Sequence, residues 1–266
     1  MDKTNERVRI AAVADLHCPR AFGVDLQSLF ASISEQADVL LLSGDLTDYG
    51  LPDEARILSR KLAATRIPIL AVLGNHDYEC DRQGEVERIL SDAGVIMLNG
   101  NPAEVHGIGF VGVKGFAGGF GDRMLQPWGE EVIKRFVHAA VDESLKLESG
   151  LAKLRTPQRI VLLHYSPVRD TVQGEPSEIV PFLGCSRLEE PLNRFPVTAV
   201  FHGHAHHGTL EGKTRQGIPV YNVAMPLLSR MYPDRPPFRL IEVNVPENQE
   251  TMKASIDGPA AELPGR

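Results

Sequence analysis

Five short apolar runs in this chain each stop at a residue able to ligate a metal. VRIAAVA at 8–14 leads into Asp15-Leu16-His17, VLLLS at 39–43 into Gly44-Asp45, and IPILAVL at 67–73 into Gly74-Asn75-His76-Asp77. RIVLL at 159–163 ends at His164, and VTAVF at 197–201 ends just before Gly203-His204-Ala205-His206. Continuous apolar runs of this length suit strands buried on both faces. In α/β sheets, ligands gather beyond the carboxyl ends of strands. The pattern predicts that residues far apart in sequence converge on one sheet edge.

Helical signals fill the gaps between the early runs. Asp25 can cap a helix presenting Leu26, Leu29, Phe30 and Ile33 on one side, the i, i+3, i+4, i+7 spacing. Pro52, Asp53 and Glu54 read as a first turn, with Ala55, Leu58 and Leu62 behind it. Val86, Ile89, Leu90 and Ala93 make a third stripe, stopped by Gly94. Strand and helix in alternation predict a parallel arrangement for the first third. The middle differs. GFAGGFG at 115–121 reads as a loop, followed by a helical pattern from about Pro127 to Arg155 whose apolar side is expected to pack on a sheet. A dimer or lid contact is the alternative use of that helix. VYNVA at 220–224 and FRLIEVNV at 238–245 are strand-like. A single domain over 1–245 is expected, with 246–266, polar and containing Pro and Gly, as a disordered tail.

Composition narrows the function classes. A formal net charge of −7 argues against a large nucleic-acid footprint, which needs a basic face. No apolar run approaches the roughly 20 residues of a membrane helix, and no secretory signal opens the chain, so a cytoplasmic location is expected. Cys18, Cys80 and Cys185 are odd in number and widely spaced, with no CxxC pair and no disulfide framework. The oxygen and imidazole donors at the run ends suit borderline ions such as zinc, manganese and iron. They are too many for one four-coordinate ion. Two ions sharing a bridging carboxylate fit the count, an arrangement used for attack on phosphorus.

DLH at 15–17, GDLTDYG at 44–50, GNHD at 74–77, His164 and GHAH at 203–206, in that order and each after a strand-like run, resemble the calcineurin-like metallophosphoesterase superfamily. The resemblance spans about residues 8 to 225. It implies a four-layer α/β/β/α sandwich of two mixed sheets. It also implies two divalent or trivalent ions (Mn, Fe or Zn), one on Asp15, His17, Asp45 and His206, the other on Asp45, Asn75, His164 and His204, with Asp45 bridging. A metal-bound hydroxide would attack phosphorus, and His76 would act as general acid, oriented by Asp48. Protein phosphatases of the superfamily carry an arginine after the second-block aspartate and the sequence RGNHE. Tyr49 after Asp48, Leu73 before GNH and Asp77 after it depart from that pattern and point to the small-molecule or phosphodiesterase branches.

The expected partner is thus a small phosphorylated substrate, in a mono- or diester that includes cyclic nucleotides. A homodimer stays open. A nuclease and a non-catalytic metal-binding scaffold are the competing functions; the charge opposes the first, and the intact ligand set with His76 opposes the second. His202, His207, His106, His138 and Cys18 are expected to be structural, surface or packing residues. No GK[ST] follows the glycines at 115–121, so they are not a phosphate loop.

Overall fold

The computed structural model describes residues 5–246; the expected tail lies outside the described residues apart from Pro246. The first sheet is built from β1 (Asn5–Val13), β2 (Val39–Ser43), β3 (Ile69–Val72) and β4 (Ile96–Met97), all parallel in that spatial order, with β11 (Arg239–Pro246) antiparallel on β1. The second runs β5 (Ala103–Val105), β6 (Ile108–Val113), β7 (Gln158–Leu163), β8 (Ala199–His202), β10 (Pro219–Asn222) and β9 (Glu211–Lys213), with antiparallel pairing only at its two ends. Both sheets are therefore mixed.

The apolar runs divide between cores by the period-two alternation of a strand. Along β1 and β2, Ala11, Val13, Leu40 and Leu42 face an outer core with α1 (Leu26–Gln36), α2 (Pro52–Leu62) and α3 (Gln83–Asp92). Ile10, Ala12, Val39 and Leu41 face the other way, into a central core shared with Phe110, Ile160, Leu162 and Phe201 of the second sheet. The second sheet's opposite face, with Val111, Val161, Leu163 and Val200, is covered by α4 (Glu131–Lys153) and α5 (Glu189–Arg194) through Leu147, Leu151 and Leu192. Helices, sheet, sheet and helices make four layers, as the resemblance implied. Asp25 caps α1, its carboxylate accepting from the Gln27 amide at 3.1 Å.

The long helix packs on a sheet, the first of its two expected uses. Val137, Ala140, Leu147 and Leu151 are buried, whereas Val132 is 61% exposed at the helix start. The β5–β6 hairpin, the short β4 and β9, α5 and α6 (Met225–Met231) carried too little periodicity to be read from sequence. No helix among the described residues is long and apolar enough to cross a membrane.

Candidate metal centre

The loops leaving β1, β2, β3, β7 and β8 meet at one end of the facing sheets. Main-chain bonds stitch them. Asp15 N donates to Gly44 O at 3.0 Å and His17 N to Asp45 O at 2.9 Å, joining the first two loops. Gly203 N donates to His164 O at 3.2 Å, joining the last two. His204 N reaches both oxygens of the Asp15 carboxylate at 3.1 and 3.0 Å, tying one sheet to the other. Asp15, His17, Asp45 and His204 all hold positive φ, at 57°, 42°, 48° and 68°. A non-glycine residue there costs about 1–3 kcal/mol, a strain typical of functional sites. The glycines of the blocks allow the close approach: a β-carbon on Gly74 would collide with the Asp45 carboxylate, and one on Gly203 with that of Asp15.

These loops bring the donors into three overlapping groups. Asp15, His17 and His206 form one; Asp45, His164 and His204 form another; His17, Asp45 and His76 lie between them. His206 Nε2 is 3.0 Å from Asp15 Oδ1, and His164 Nε2 is 3.3 Å from Asp45 Oδ1. Asn75 belongs with the second group, its Oδ1 2.9 Å from His164 Nε2. Asp15, Asp45, His17 and His164 are buried, while Asn75, His76, His204 and His206 are half-buried and border the opening.

Two observations fit this cluster to cations. First, His17 is buried, yet its Nε2 has no hydrogen-bond partner among the described residues. Leaving a buried polar group unpaired costs about 1–3 kcal/mol, and a cation is the partner imidazole nitrogen takes in such a setting. Second, the carboxylates are held ionised. Burial alone would raise the Asp45 carboxyl, but the surrounding histidines, His164 first, more than offset it and hold it below the usual range. Asp15 is likewise lowered against its burial, chiefly by His206. In return, against burial, His164 is pushed up to about 9 by Asp45, and His206 is raised by Asp15. The buried carboxylates demand positive charge that bound cations would supply directly. His204 is the counterexample: burial, then His164, lowers it to about 3, so it offers a neutral imidazole lone pair.

A profile of the calcineurin-like phosphoesterase family matches residues 8–208, most of the chain and all five loops. The chain belongs to that family. A stretch of 57 residues is 35% identical to the glycerophosphodiester phosphodiesterase GpdQ of Enterobacter lignolyticus (strain SCF1); it covers 21% of this chain and 20% of that protein, so the chain matches only about a fifth of the relative's length. Among solved structures, phosphopantetheinyl hydrolase (PptH) from Mycobacterium tuberculosis superposes with a TM-score of 0.58 at 14% identity, over 87% of this chain and 95% of that one. TT1561 of Thermus thermophilus gives 0.52 at 14% identity, over 90% and 99%. At such identities these two speak for the fold alone.

Every residue expected to bind metal lies in the cluster. Asp48 is placed differently from expectation. Its carboxylate faces His17, with Oδ1 3.2 Å from Nδ1, and not His76. His76 is oriented by the main chain: its Nδ1 lies 2.7 Å from the Asp48 carbonyl, and its own amide donates to Asp45 Oδ1 at 2.8 Å. The expectation joined Asp48 to His76 through its carboxylate, whereas the contact is through its carbonyl, because a motif does not reveal which way a side chain leaves a turn.

Asp77 shapes the loop. The fully buried carboxylate accepts from the amides of Gly74 (2.8 Å), Thr47 (2.8 Å) and Leu46 (3.2 Å) and from the Thr47 hydroxyl, and burial, followed by Asp45, pushes it up to about 6. His202 is buried, 2.8 Å from Thr171 Oγ1, and burial lowers it to about 4. His207 is exposed, and Cys18 is buried with its thiol pushed up to about 11 by desolvation. Sequence reasoning missed the Ser43 carbonyl, 3.0 Å from His164 Nδ1, and the Tyr165 ring, 4.6 Å from that of His204. Only the adjacency of Ser43 to Gly44 and of Tyr165 to His164 hinted at either.

Proposed function

We propose that the protein hydrolyses a phosphate ester of a small molecule at a pair of Mn, Fe or Zn ions. Asp15, His17, Asp45 and His206 would hold one; Asp45, Asn75, His164 and His204 would hold the other. The observation that carries this reading is the place of Asp45: it lies in two of the three donor groups, with one carboxylate oxygen toward His164 and the other toward His17. Ions bound there would supply Lewis acidity, polarising phosphate oxygens and lowering the pKa of water.

The chain's own residues handle the remaining proton. A carbonyl can only accept, so the Asp48 oxygen fixes a proton on His76 Nδ1 and turns Nε2 outward. His76 Nε2 gives a proton to the ester oxygen as that oxygen's bond to phosphorus breaks; water's oxygen bonds to phosphorus, and the proton this water sheds goes to solvent. Asp77 holds Gly74 and the Asp45 loop in register, and so keeps His76 beside Asp45. The departures from the protein-phosphatase pattern support a small organic substrate, and the phosphodiesterase similarity supports a diester.

The test is to strip the protein, reload it separately with Mn, Zn and Fe, and measure metal content beside turnover of phosphomonoesters and phosphodiesters. Two ions per chain with diester turnover is the expected result. At most one ion per chain would end the paired-ion scheme, and full loading without turnover of any ester would leave a binding scaffold.

A further inference from the structure

Beside the metal centre, residues 118–125, the first turns of α4 and residues 169–182 enclose a cleft of about 830 Å³. That is within the range of small-molecule sites. Its walls are largely apolar: Phe120, Leu125, Ile133, Val172, Val180 and Phe182. Phe182 is 57% exposed and neighbouring Ile179 41%, so large apolar groups stand open to solvent at this face.

The cleft shares a wall with the metal centre. Ala205, between His204 and His206, is buried against Val172 and Leu183, with Phe120 and Val180 packed on the same cluster. The Phe182 carbonyl is 3.3 Å from His204 Nε2, and the Glu175 carboxylate accepts from the His207 amide at 2.6 Å. Main-chain bonds hold the flanking segments together: Gly118 N to Pro181 O and Gly119 N to Gly184 O, both 2.9 Å. Such preorganisation lowers the entropic cost of binding.

The charge on the cleft points to a ligand type. Arg123 and Arg169 line it, and the arginine ion pairs among the described residues all involve other arginines. Glu175, the acidic residue of the lining, accepts from the His207 main-chain amide and keeps its charge, so the lining carries two positive charges against one negative. In a chain of net charge −7, two unpaired guanidiniums on one apolar cleft favour an acidic ligand.

We propose that this cleft is the subsite for the organic arm of the ester, an extended apolar group ending in an acid. The proposal rests on the phosphoesterase reading above and adds a substrate class to it. Phosphate sits at the ions; the arm runs past Phe182 into the cleft, and its acid meets Arg123 and Arg169.

Two measurements on the metal-loaded protein test it. The first is kinetic, with methyl, octyl and ω-carboxyoctyl 4-nitrophenyl phosphodiesters. Octyl should exceed methyl in kcat/KM by about tenfold or more, since the longer chain adds methylenes that the apolar cleft buries in part. Ile133→Trp, which fills the cleft, should erase that ratio, and Arg169→Ala should lower the ω-carboxyoctyl ester relative to octyl by about tenfold. The second is calorimetric and needs no turnover: decanesulfonate below its micelle concentration should bind, with at least about tenfold loss in Ile133→Trp. Val180→Trp, on the opposite wall, replaces Ile133→Trp if that variant misfolds. Equal kcat/KM for methyl and octyl esters, or decanesulfonate binding unchanged in the folded tryptophan variant, would overturn the proposal. Decanesulfonate binding that the tryptophan abolishes, together with no turnover of any ester, would instead remove the phosphoesterase reading and the ester-arm assignment with it.

Discussion

The two sheets contribute to the site in different ways. The first supplies Asp15, His17, Asp45 and Asn75 from short loops fastened to one another: Asp77 binds three amides and a hydroxyl from two of them, and main-chain bonds join the other pair. The second supplies His164, His204 and His206, but between β7 and β8 the chain makes a long excursion through single helical turns at Arg169–Val172, Val180–Phe182 and Ser186–Leu188. The fastened half places charge and tolerates strain. The excursion has no strand or long helix up to Leu188; turn-type main-chain bonds within it and to residues 118–119 hold it, and it forms a cleft. Short-range geometry on one sheet thus places the carboxylates of the donor cluster, while the cleft beside it comes from irregular chain on the other.

This division can be broken most directly at Asp45. Asp45→Ala should lose nearly all bound metal and turnover, because one side chain faces both donor groups. His206→Ala should chiefly weaken the site it shares with Asp15, and His164→Ala the site it shares with Asn75. Elemental analysis of the reloaded variants reads this. If Asp45→Ala retained two ions per chain, Asp45 would not bridge and the fastened half would lose its central role.

His76→Ala sharpens the comparison by separating chemistry from metal within the same half. Both ions should stay, while turnover should fall by about 10²–10⁴-fold, the usual range for a proton donor. The loss should be smallest for nitrophenyl esters, whose leaving group departs without a proton. An equal loss across leaving groups of very different pKa would mean that the ring steadies phosphate charge instead of giving a proton. Metal content measured alongside excludes a trivial cause.

The same division explains how far the sequence could be read. In the fastened half, each local requirement forces a residue type: glycine where Asp45 presses on Gly74, a carboxylate where three amides converge on Asp77, a donor where a strand ends. The five blocks, β2 to the residue, the cap of α1 and the start of α2 were therefore legible, with the four-layer sandwich coming from the resemblance. The excursion at 165–188 has no period, because it alternates turns with extended chain, so neither Phe182 nor Arg169 stood out. Asp48 marks a second boundary: its importance was legible, but the direction of its carboxylate depends on a turn that also places the carbonyl under His76.

The smallest expected effect concerns the glycine loop at 115–121, for which a moving lid and a fixed turn are the two readings. The structure favours the turn. Gly118 and Gly119 donate to Pro181 and Gly184, and the Ser186 amide returns a bond to the Gly119 carbonyl at 3.1 Å, so the loop is fastened along its length. Gly119 has φ of 84°, and its nearest neighbours to an added methyl are 3.7 Å away or more, ordinary contact. The cost of alanine there is backbone strain without collision, so Gly119→Ala should destabilise by about 1–2 kcal/mol. Denaturant midpoints should move at an unchanged slope, and both ions should remain bound. A fixed turn also predicts that kcat for methyl 4-nitrophenyl phosphate depends on solvent viscosity no more in the variant than in wild type. Unchanged stability with altered kcat would reverse the conclusion, because a loop that tolerates the strain and still changes the rate is one that moves during turnover.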